Sequence, residues 1–501
     1  MATLSEAAQA PQTRNGAGTL TALCIGVYLV NFDISATSLA LPAIQRDLGG
    51  GLSDLQWVID AYILAMTCLL LSAGALSDRL GKNATLLVSL AGFGLASAAC
   101  AVAPSIAALI AGRAAQGVFA ALLVPTAIAT MSELWPEPKA RAKAIGAGAA
   151  IGGLALASGP VLAGALLQWG GWPTIFWINL PLIVASGLAL LILLPKRAVP
   201  EPRPLKPLAQ GLLIVALSGL SFLLIEAPRH SGLTPTMGGV LGATFAVALA
   251  FLVVEARSHD PLIPPALLRD RVVLACALVN LAMQFGTFSV LFLMSLRFQG
   301  VDGLTPSQAG LRFLYLTIPL ALVSQLAPVI AARTSFRAVI GGGSFLVAAA
   351  LAGLWLLPGG QQAWFAVLGL GLAAVTSPTS MAILWAAPPA LAATAAGLLN
   401  AFRQFGSLLG VAFAGVILIW QARLAAGAAA LPDGAAGARE ELASAIAAGR
   451  ADRVLHFGAA RDAIGGAFAA SSGIVLMAAT VAAAVMCAWV ALALAPRKDL
   501  A

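Results

Sequence analysis

Charged residues are scarce in this chain of 501 residues: Asp, Glu, Lys and Arg make up only 10% of it, whereas 60% is hydrophobic. A soluble domain carries about 25% charged residues, so this chain has too few charges to cover the surface of a soluble globule. Disorder is excluded because its signature is low hydrophobicity. Glycine is abundant, with 51 residues, but follows no three-residue period, which excludes collagen. The class that remains is an integral membrane protein.

Histidine and cysteine are also sparse, with three and five residues. The histidines lie in separate links and no CxxC or Cys/His pair occurs, so we expect neither a zinc site nor a disulfide. The segment 74–83 lacks the spacing of a P-loop, and 146–153 lacks the third glycine of a dinucleotide motif. We therefore expect no metal, no cofactor and no enzymatic activity, and any energy source must be a gradient.

Long apolar runs are what the sequence has instead. A helix that crosses a bilayer needs about 20 apolar residues and satisfies its own backbone hydrogen bonds in lipid. The runs predict an all-α integral membrane protein with 14 transmembrane helices. These spans are 19–41, 55–76, 84–103, 105–131, 141–168, 173–194, 207–226, 236–255, 272–296, 308–331, 336–357, 362–386, 391–421 and 468–494. The Ala-rich segment 422–467 has charges spaced through it and predicts a solvated helical excursion.

The basic residues are distributed unevenly between the two sides of the membrane. When the links are assigned alternately to two sides, the side of both termini holds 17 of the 28 Lys and Arg residues. They are Arg14, Arg79, Lys82, Lys139, Arg141, Lys143, Lys196, Arg197, Arg203, Lys206, Arg257, Arg269, Arg271, Arg333, Arg337, Arg497 and Lys498. The positive-inside rule then predicts that both termini are cytoplasmic. We interpret the net charge of +8 as membrane topology and expect no nucleic-acid partner.

Two acidic residues lie inside predicted spans, where a charge is costly and is a functional candidate by default. Asp33 lies past the middle of the first span with Thr37 one turn further on, and Asn31 begins an adjoining polar stripe. We expect this polar side to face a cavity. Asp60 lies in the second span, between Trp57 and Tyr62, and exposure at the outer end is its alternative reading. Because burial disfavours a charged carboxylate, a buried Asp can exchange a proton near neutral pH, which is the chemistry of proton coupling.

Two arginines also lie inside predicted spans. Arg113 in the fourth span is followed by Gln116 one turn later, and Arg403 lies in the thirteenth span. We hypothesise that Arg113 faces Asp33 and adjusts its affinity for protons. The alternatives are that Asp33 and Arg113 form a purely structural pair, or that Arg113 packs helices by bonding backbone carbonyls.

The motifs resemble those of the major facilitator superfamily, in its fourteen-span drug:proton antiporter family. GALSDRLGKN (74–83) is similar to the signature loop between the second and third helices, and LIAGRAAQG (109–117) to the proton-coupling motif of the fourth. GGLALASGPVLAGAL (152–166) resembles the antiporter motif, and NFDISATSLALPAI (31–44) the first-helix motif. SFLLIEAP (221–228) and FRQFGSLLG (402–410) are similar to exporters of the methylenomycin-resistance type.

The resemblance implies a proton-coupled exporter of hydrophobic or cationic drugs that works by alternating access. It implies proton coupling at Asp33, Arg113 and Asp60. The gating loop is Gly74, Asp78, Arg79, Gly81 and Lys82, and the antiporter motif is Gly153, Gly159, Pro160 and Gly164. We assign substrate contacts to polar or aromatic residues of the spans, namely Asn31, Thr37, Trp57, Gln116, Gln284 and Arg403.

The same resemblance implies the major facilitator fold, two six-helix bundles plus two extra helices. The expected division is a cytoplasmic N-terminus (1–18), an N-terminal bundle (19–194), a cytoplasmic linker (195–206), two extra helices (207–256), a second cytoplasmic linker (257–271), a C-terminal bundle (272–494, including the extracytoplasmic excursion 422–467) and a cytoplasmic C-terminus (495–501). The expected partners are a small substrate, protons and the lipid bilayer. We expect a monomer in the inner membrane of a bacterium.

Other functions on this sequence remain open. A flippase for lipids or lipid-like molecules would use the same fold, with lateral openings and substrates with long acyl chains. A solute:proton symporter is disfavoured by the Gly-Pro motif at 159–160. A membrane receptor without transport, or a membrane-embedded enzyme, is a further alternative, and the missing catalytic constellation disfavours the enzyme.

Overall fold

The computed structural model describes residues 16–195, 206–227, 234–357, 360–388, 391–428, 443, 446 and 460–493. Every regular element in these ranges is helical. The helices are α1 (Gly16–Leu48), α2 (Leu52–Leu80), α3 (Lys82–Ala101), α4 (Ile106–Leu134), α5 (Pro138–Gly170), α6 (Pro173–Trp177), α7 (Asn179–Leu193), α8 (Pro207–Glu226), α9 (Pro235–Arg257), α10 (Pro265–Arg269), α11 (Arg271–Leu296), a π-helical turn (Arg297–Val301), α12 (Pro306–Arg333), α13 (Phe336–Leu356), α14 (Gln361–Ala386), α15 (Ala392–Ala428) and α16 (Ala460–Ala493).

Each predicted span corresponds to one helix, or to two helices that follow each other directly. In the described part of the chain, 13 helices are long and apolar enough to cross a membrane, or 14 when the bent α5 counts as one span. The sixth span is divided into α6 and α7, which meet at Ile178. An apolar run of this length predicts a crossing well but does not reveal such a break.

The predicted excursion 422–467 is too long at both ends. Helix α15 continues to Ala428 and α16 begins at Ala460, so 422–428 and 460–467 are continuous with their spans. The helix ends lie beyond the apolar runs because α-helical hydrogen bonding continues through Ala-rich sequence, which has a high helix propensity. The rest of the excursion lies outside the described residues, except Ala443 and Ile446, which are helical and buried.

The helices pack as two bundles with the same pattern of neighbours. Helix α1 packs on α5, and α2 and α3 pack on α4; in the second bundle α11 packs on α15, and α12 and α13 pack on α14. The two bundles meet through α5 on α12 and through α2 on α15. Segments 73–94 and 327–348, whose sequences align weakly, occupy equivalent places at the α2–α3 and α12–α13 links.

The perimeter of the described helices is strongly apolar. Phe245, Leu252 and Ile192 are each more than half exposed, on α9 and α7. Large exposed apolar areas are rare on soluble proteins, and a lipid-facing surface needs no charges to solvate it. The scarcity of charge in the sequence therefore corresponds to a surface that is covered by lipid.

The two extra helices differ in how they pack. Helix α9 lies mainly against α8, whereas α8 also packs against α2 and α15, one helix from each bundle. The Ser53 hydroxyl donates to the Ile225 carbonyl oxygen (3.2 Å), and Ser72 bonds to Gln210. Hydrogen bonds at both ends of α8 therefore attach it to α2.

Candidate functional site

Asp33 and Arg113 form an ion pair in the interior of the first bundle. Nη1 of Arg113 on α4 donates to Oδ2 of Asp33 on α1, and the Arg113 and Asp33 side chains are 1% and 0% exposed. Two opposite charges in a nonpolar interior are stable only as a hydrogen-bonded pair. The structure therefore agrees with the hypothesis that Arg113 faces Asp33.

Two amides and a hydroxyl complete the coordination of this pair. Nε2 of Gln116 and Nδ2 of Asn179 both donate to Oδ1 of Asp33, each at 3.2 Å. The same two nitrogens also donate to the Ser97 hydroxyl, at 2.8 Å and 3.4 Å. We define the Asp33 cluster as the five side chains of Asp33, Ser97, Arg113, Gln116 and Asn179, all of which are buried. Their hydrogen bonds connect α1, α3, α4 and α7.

Arg113 has further partners that do not depend on Asp33. Its Nε donates to the Val58 carbonyl oxygen (3.0 Å) and its Nη1 to Oε1 of Gln116 (2.8 Å). The guanidinium carbon lies 4.4 Å from the centre of the Tyr62 ring, within the range of a cation–π contact. The helix-packing role considered as an alternative for Arg113 is therefore present in addition to the ion pair.

The sequence suggested that the polar side of α1 faces a single cavity. In the structure, its polar residues face two different environments. Successive helical residues are turned by about 100°, so Asp33 and Asn31 point in nearly opposite directions. Asp33 and the buried Thr37 face into the first bundle, and the Thr37 hydroxyl donates to the Asp33 backbone oxygen (2.7 Å). Asn31 is half-buried near Gly152 of α5. The expected polar stripe is therefore divided between two environments.

Asp60 is buried, which excludes the exposed position considered for it, and it does not join the Asp33 cluster. Neither of its carboxyl oxygens has a hydrogen-bond partner among the described residues. Asp60 lies one turn from Gln56, whose Nε2 donates to the carbonyl oxygens of Val411 and Ala412 on α15 (3.2 and 3.1 Å). Val58, which contacts Arg113, points to the other side of α2.

The residues assigned to substrate contact are distributed over both bundles. Gln116 belongs to the Asp33 cluster, and Gln284 on α11 is 8% exposed. Arg403 on α15 is half-buried, and its Nε has no partner among the described residues. Gln284 and Arg403 belong to the second bundle, while Asn31 belongs to the first.

Trp57, the remaining aromatic member of this set, contacts α8. Its indole Nε1 donates to Oε1 of Glu226 at the end of α8 (2.9 Å). The Trp57 side chain therefore lies on the side of α2 that faces α8. The preceding residue, Gln56, lies on the side that faces α15. The sequence could not predict this contact because Glu226 is far away in the chain.

The antiporter motif packs against two helices, with Gly159 facing α1 and Gly153 and Gly164 facing α12. A Cβ atom at Gly164 would lie 2.7 Å from the Ser307 Cα atom, and one at Gly159 would overlap the Ser35 hydroxyl. A Cβ atom at Gly153 would lie 3.7 Å from the Ser324 hydroxyl. Helix α5 bends by 43° between Lys139–Leu156 and Ser158–Gly170, directly before Gly159 and Pro160. Small residues thus permit close packing of the two bundles.

The gating loop lies at the C-terminal end of α2, where α3 follows. Gly81 separates α2 from α3 with φ of +82°, a conformation that glycine adopts without strain. Lys82 forms an ion pair with Glu133 at the end of α4, so the loop is attached to its own bundle. Asp78 is half-buried and Arg79 is exposed. Gly74 is also exposed, and a Cβ atom there would meet nothing within 4 Å.

The contacts between the bundles are tight at one end. We call this end, where α1 ends and α2 begins, the distal face, and the opposite end the proximal face. The Ser295 hydroxyl donates to the Ser38 carbonyl oxygen (2.7 Å) and Nε2 of Gln299 to that of Leu39 (2.9 Å), which joins α11 to α1 near the distal face. Gly164 and Ser307 are packed together at the same face, whereas Gly74 lies near the proximal face with open space beside it.

The His, Cys, Asp and Glu side chains of the described residues are scattered. No group of three or more His, Cys, Asp or Glu side chains there could hold a metal ion. All five cysteines are free thiols, and four of them are buried.

Asn179 and Ser97 are the members of the Asp33 cluster that the sequence did not single out. Asn179 is a single amide in the apolar run FWINLPL (176–182), and Ser97 is one of many small residues in α3. The signal available for Asn179 was a strongly polar amide inside a predicted span. Its partner could not be read from the sequence, because the direction of the side chain depends on the break between α6 and α7.

Comparison with known proteins agrees with the fold. A sequence profile of the Major Facilitator Superfamily matches residues 23–411. The chain is similar to the tetracenomycin C resistance and export protein of Streptomyces glaucescens, with 35% identity over 407 residues, 80% of this chain and 75% of that protein. It is 34% identical over 409 residues to the methylenomycin A resistance protein of Streptomyces coelicolor, covering 80% of this chain and 85% of that protein.

A solved structure with a similar fold is that of a bacterial homologue of the human lysosomal transporter Spinster, in an inward-facing and unoccupied conformation. The TM-score is 0.65 at 17% sequence identity, over 95% of this chain and 96% of that chain. At this identity the likeness concerns the fold alone.

Proposed function

We propose that this chain, which belongs to the Major Facilitator Superfamily, exports small hydrophobic or cationic compounds in exchange for protons. The observation that carries the proposal is the buried Asp33–Arg113 ion pair, since a carboxylate inside a membrane-spanning helix is a group that could take up and release a proton. The names of the relatives support the substrate class, since they are resistance and export proteins for antibiotics.

The distribution of basic residues gives the proposed orientation. By the positive-inside rule, this distribution supports an orientation with both termini and the proximal face in the cytoplasm and the distal face outside it. The tight packing of α5 on α12 and of α1 on α11 then closes the outer side, and we assign the structure to an inward-open state. The proposed location is the cytoplasmic membrane of a bacterium, and the proposed unit is the monomer.

Proton uptake by Asp33 would act on the first bundle from inside. Protonation removes the negative charge that Arg113 faces, while Gln116, the Val58 carbonyl and the Tyr62 ring still hold the guanidinium. The Asp33 cluster thus changes from neutral to singly positive without losing all contacts of Arg113. Since Asp33 is fully buried, this geometry favours indirect coupling over direct competition with the substrate.

The change has a short route to the contact between the bundles. Asp33 and Ser38 are less than two turns apart on α1, and Ser38 accepts the hydrogen bond from Ser295. Val58 and Gln56 lie on α2, where Gln56 bonds to α15. A shift of α1 and α2 would therefore disturb the distal contacts directly and favour the outward-open state.

Asp60 would be a second proton site beside the contact of α2 with α15. A charged carboxylate without a partner is costly in a protein interior, so this environment accommodates the neutral acid better. In the outward-open state, where α2 and α15 separate at the distal end, we expect Asp60 to reach water. The gating loop would close the proximal face in that state, with Gly74 brought against the second bundle.

The test is transport in proteoliposomes, with a compound first identified by a resistance screen in a host that lacks its own exporters. Asp33→Asn should abolish efflux driven by a pH gradient while the protein remains folded. Asp302→Asn is the matched control, because Asp302 lies outside the predicted spans beside Arg297 and Arg312. Near-normal gradient-driven efflux by Asp33→Asn would refute the proton-coupling role. Reversing the gradient separates export from import.

A further inference from the structure

Asn179 holds a buried polar atom that the charged form of Asp33 does not use. Its Nδ2 donates to Asp33 and to Ser97, whereas its Oδ1 has no hydrogen-bond partner among the described residues. The side chain is 0% exposed. A buried carbonyl oxygen without a partner is uncommon in a folded protein, which raises the question of what it accepts in another state.

The charge of Asp33 accounts for the direction of this amide. An ionised carboxylate is only an acceptor, so Asn179 must present its nitrogen and turn its oxygen away. The ion pair with Arg113 and the donor from Gln116 are consistent with the ionised form. In the observed arrangement Asp33 acts only as an acceptor, which is the role of an ionised carboxylate.

Protonation of Asp33 creates a new donor that requires an acceptor. The oxygen of Gln116 already accepts from Arg113 (2.8 Å) and from the Cys100 thiol (3.5 Å). The Ser97 hydroxyl oxygen already accepts from Gln116 and from Asn179. Within the described part of the cluster, the amide oxygen of Asn179 is the acceptor that has no donor yet.

We propose that Asn179 is a positioning residue that responds to the protonation of Asp33 by turning its amide through half a rotation. In the protonated state Oδ1 accepts the Asp33 hydroxyl, and the hydroxyl hydrogen of Ser97 can bond to the same oxygen. Each state then leaves one amide atom of Asn179 without a partner, Oδ1 when Asp33 is ionised and Nδ2 when Asp33 is protonated. The two states therefore have the same number of unpaired amide atoms. This inference rests on the proposed role of Asp33 as the proton site.

The location of Asn179 gives the rotation a structural consequence. It is the first residue of α7, directly after the break at Ile178. Its amide bonds α7 to α1 and to α3, and Ser186 further along α7 also bonds to the Ala22 carbonyl oxygen of α1. Protonation of Asp33 on α1 thereby changes a hydrogen bond of the sixth span, in addition to the ion pair with Arg113 on the fourth span.

The charged and titratable groups that act on Asp33 come from three helices. They are Arg113 on α4, Tyr62 on α2 and Cys100 on α3, all of which interact with the pair. Helix α7 contains no charged residue, and those of α5 are confined to Lys139, Arg141 and Lys143 in its first two turns. The position next to the Asp33 carboxylate on α7 is therefore occupied by a neutral amide.

The test is infrared difference spectroscopy of the reconstituted full chain between high and low pH, with the asparagine side-chain carbonyls labelled with ¹³C. We expect the band of a protonated carboxyl to appear at low pH together with a shift of one labelled amide band. Both should vanish in Asp33→Asn. Asn179→Leu, which has the same shape but no polar atoms, should keep the carboxyl band, change its frequency and lose the amide shift.

Asn280→Leu is the matched control. Asn280 is a buried amide whose Nδ2 bonds to Thr379 (2.8 Å) and whose Oδ1 also has no partner among the described residues, but it lies in the second bundle. Both bands should remain as in the unaltered protein. Loss of the amide shift in Asn280→Leu, or its persistence in Asn179→Leu, would overturn the inference. A carboxyl band with no amide shift in the unaltered protein would do the same and leave the proposed function intact.

The proposed function fails separately, if Asp33→Asn retains both the carboxyl band and normal coupled efflux.

If Asn179→Leu does not fold, the variant Asn179→Asp tests the same inference. Two carboxyls at hydrogen-bond distance share a proton, so the inference expects a protonated carboxyl band that persists to higher pH than in the unaltered protein. An unchanged titration would contradict it. In transport, loss of one hydrogen bond should lower coupled efflux by roughly 2- to 13-fold, with substrate affinity unchanged.

Discussion

Gly310 of α12 lies against the carbonyl oxygen of Pro160 of α5, so close that a Cβ atom at position 310 would overlap it. Proline in the interior of α5 bends the helix, and the glycine opposite leaves space for the bend. The same contact includes Gly164 and Ser307 one turn further along. Pro160 and Gly164 of the antiporter motif therefore form one side of a close helix contact whose other side belongs to the second bundle.

Gly310→Val should open this contact. The added side chain would overlap α5, and overpacking costs about 1–3 kcal/mol, which shifts a two-state equilibrium by about 5- to 150-fold. We expect the distance between spin labels at the exposed Gln168 and Leu311 to lengthen in most molecules. Gly242→Val on α9 is the control, because a Cβ atom there meets nothing within 4 Å. An unchanged distance distribution in folded Gly310→Val would contradict this prediction.

Asp33→Asn should lower the thermal stability of the detergent-solubilised protein. Removing one partner of a buried ion pair costs about 3–5 kcal/mol, because Arg113 keeps its charge. The double variant Asp33→Asn/Arg113→Gln should lose less stability than the sum of the single variants. The same cycle on Asp302 and Arg312, which lie 3.8 Å apart and are partly exposed, should give nearly additive losses. Additive losses for the buried pair would show that the two residues are not coupled.

Trp57→Phe should affect stability and not substrate affinity. The change keeps an aromatic ring and removes the indole N–H that donates to Glu226, and a hydrogen bond to a charged group contributes about 1.5–3 kcal/mol. We expect a lower melting temperature with an unchanged KM for the identified substrate. Trp169→Phe is the control, since Trp169 is 85% exposed. A large increase in KM with unchanged stability would return Trp57 to the substrate site.

Arg79→Ala should hold the protein in the inward-open state. If the gating loop closes the proximal face in the outward-open state, loss of this exposed charge removes a contact that only that state makes. At low pH, the Gln168–Leu311 distance should lengthen in the unaltered protein and stay short in Arg79→Ala. Arg337→Ala at the start of α13, also exposed, is the control. Equal lengthening in both variants would exclude the latch.

Much of the fold could be predicted because hydropathy acts locally. A run such as 84–103 must cross the membrane whatever surrounds it, and it does so as α3. The Asp33–Arg113 pair could also be expected, because an intramembrane charge requires a partner and few are available in the first bundle. The pairing follows from scarcity, which is visible in the sequence.

The directions of side chains could not be predicted in the same way. Asp60 and Asp33 look alike in the sequence, yet Asp33 is paired inside the first bundle, whereas the Asp60 carboxyl has no hydrogen-bond partner among the described residues. Trp57 was assigned to substrate on its chemistry, and its hydrogen bond to Glu226 of α8 could not be read from the sequence. A rotation of one residue by about 100° decides such differences, and only the packing of neighbouring helices fixes the rotation.

The sequence by itself determined that this protein lies in a membrane, how many times it crosses, and that its few internal charges matter. These properties follow from the cost of placing charge or unpaired backbone groups in lipid, which each segment meets on its own. The tertiary structure decided which polar groups meet. Asn179 became a partner of Asp33 because α7 starts at a break beside α1 and α3, and hydrogen bonds between distant residues depend on positions to within a few tenths of an ångström.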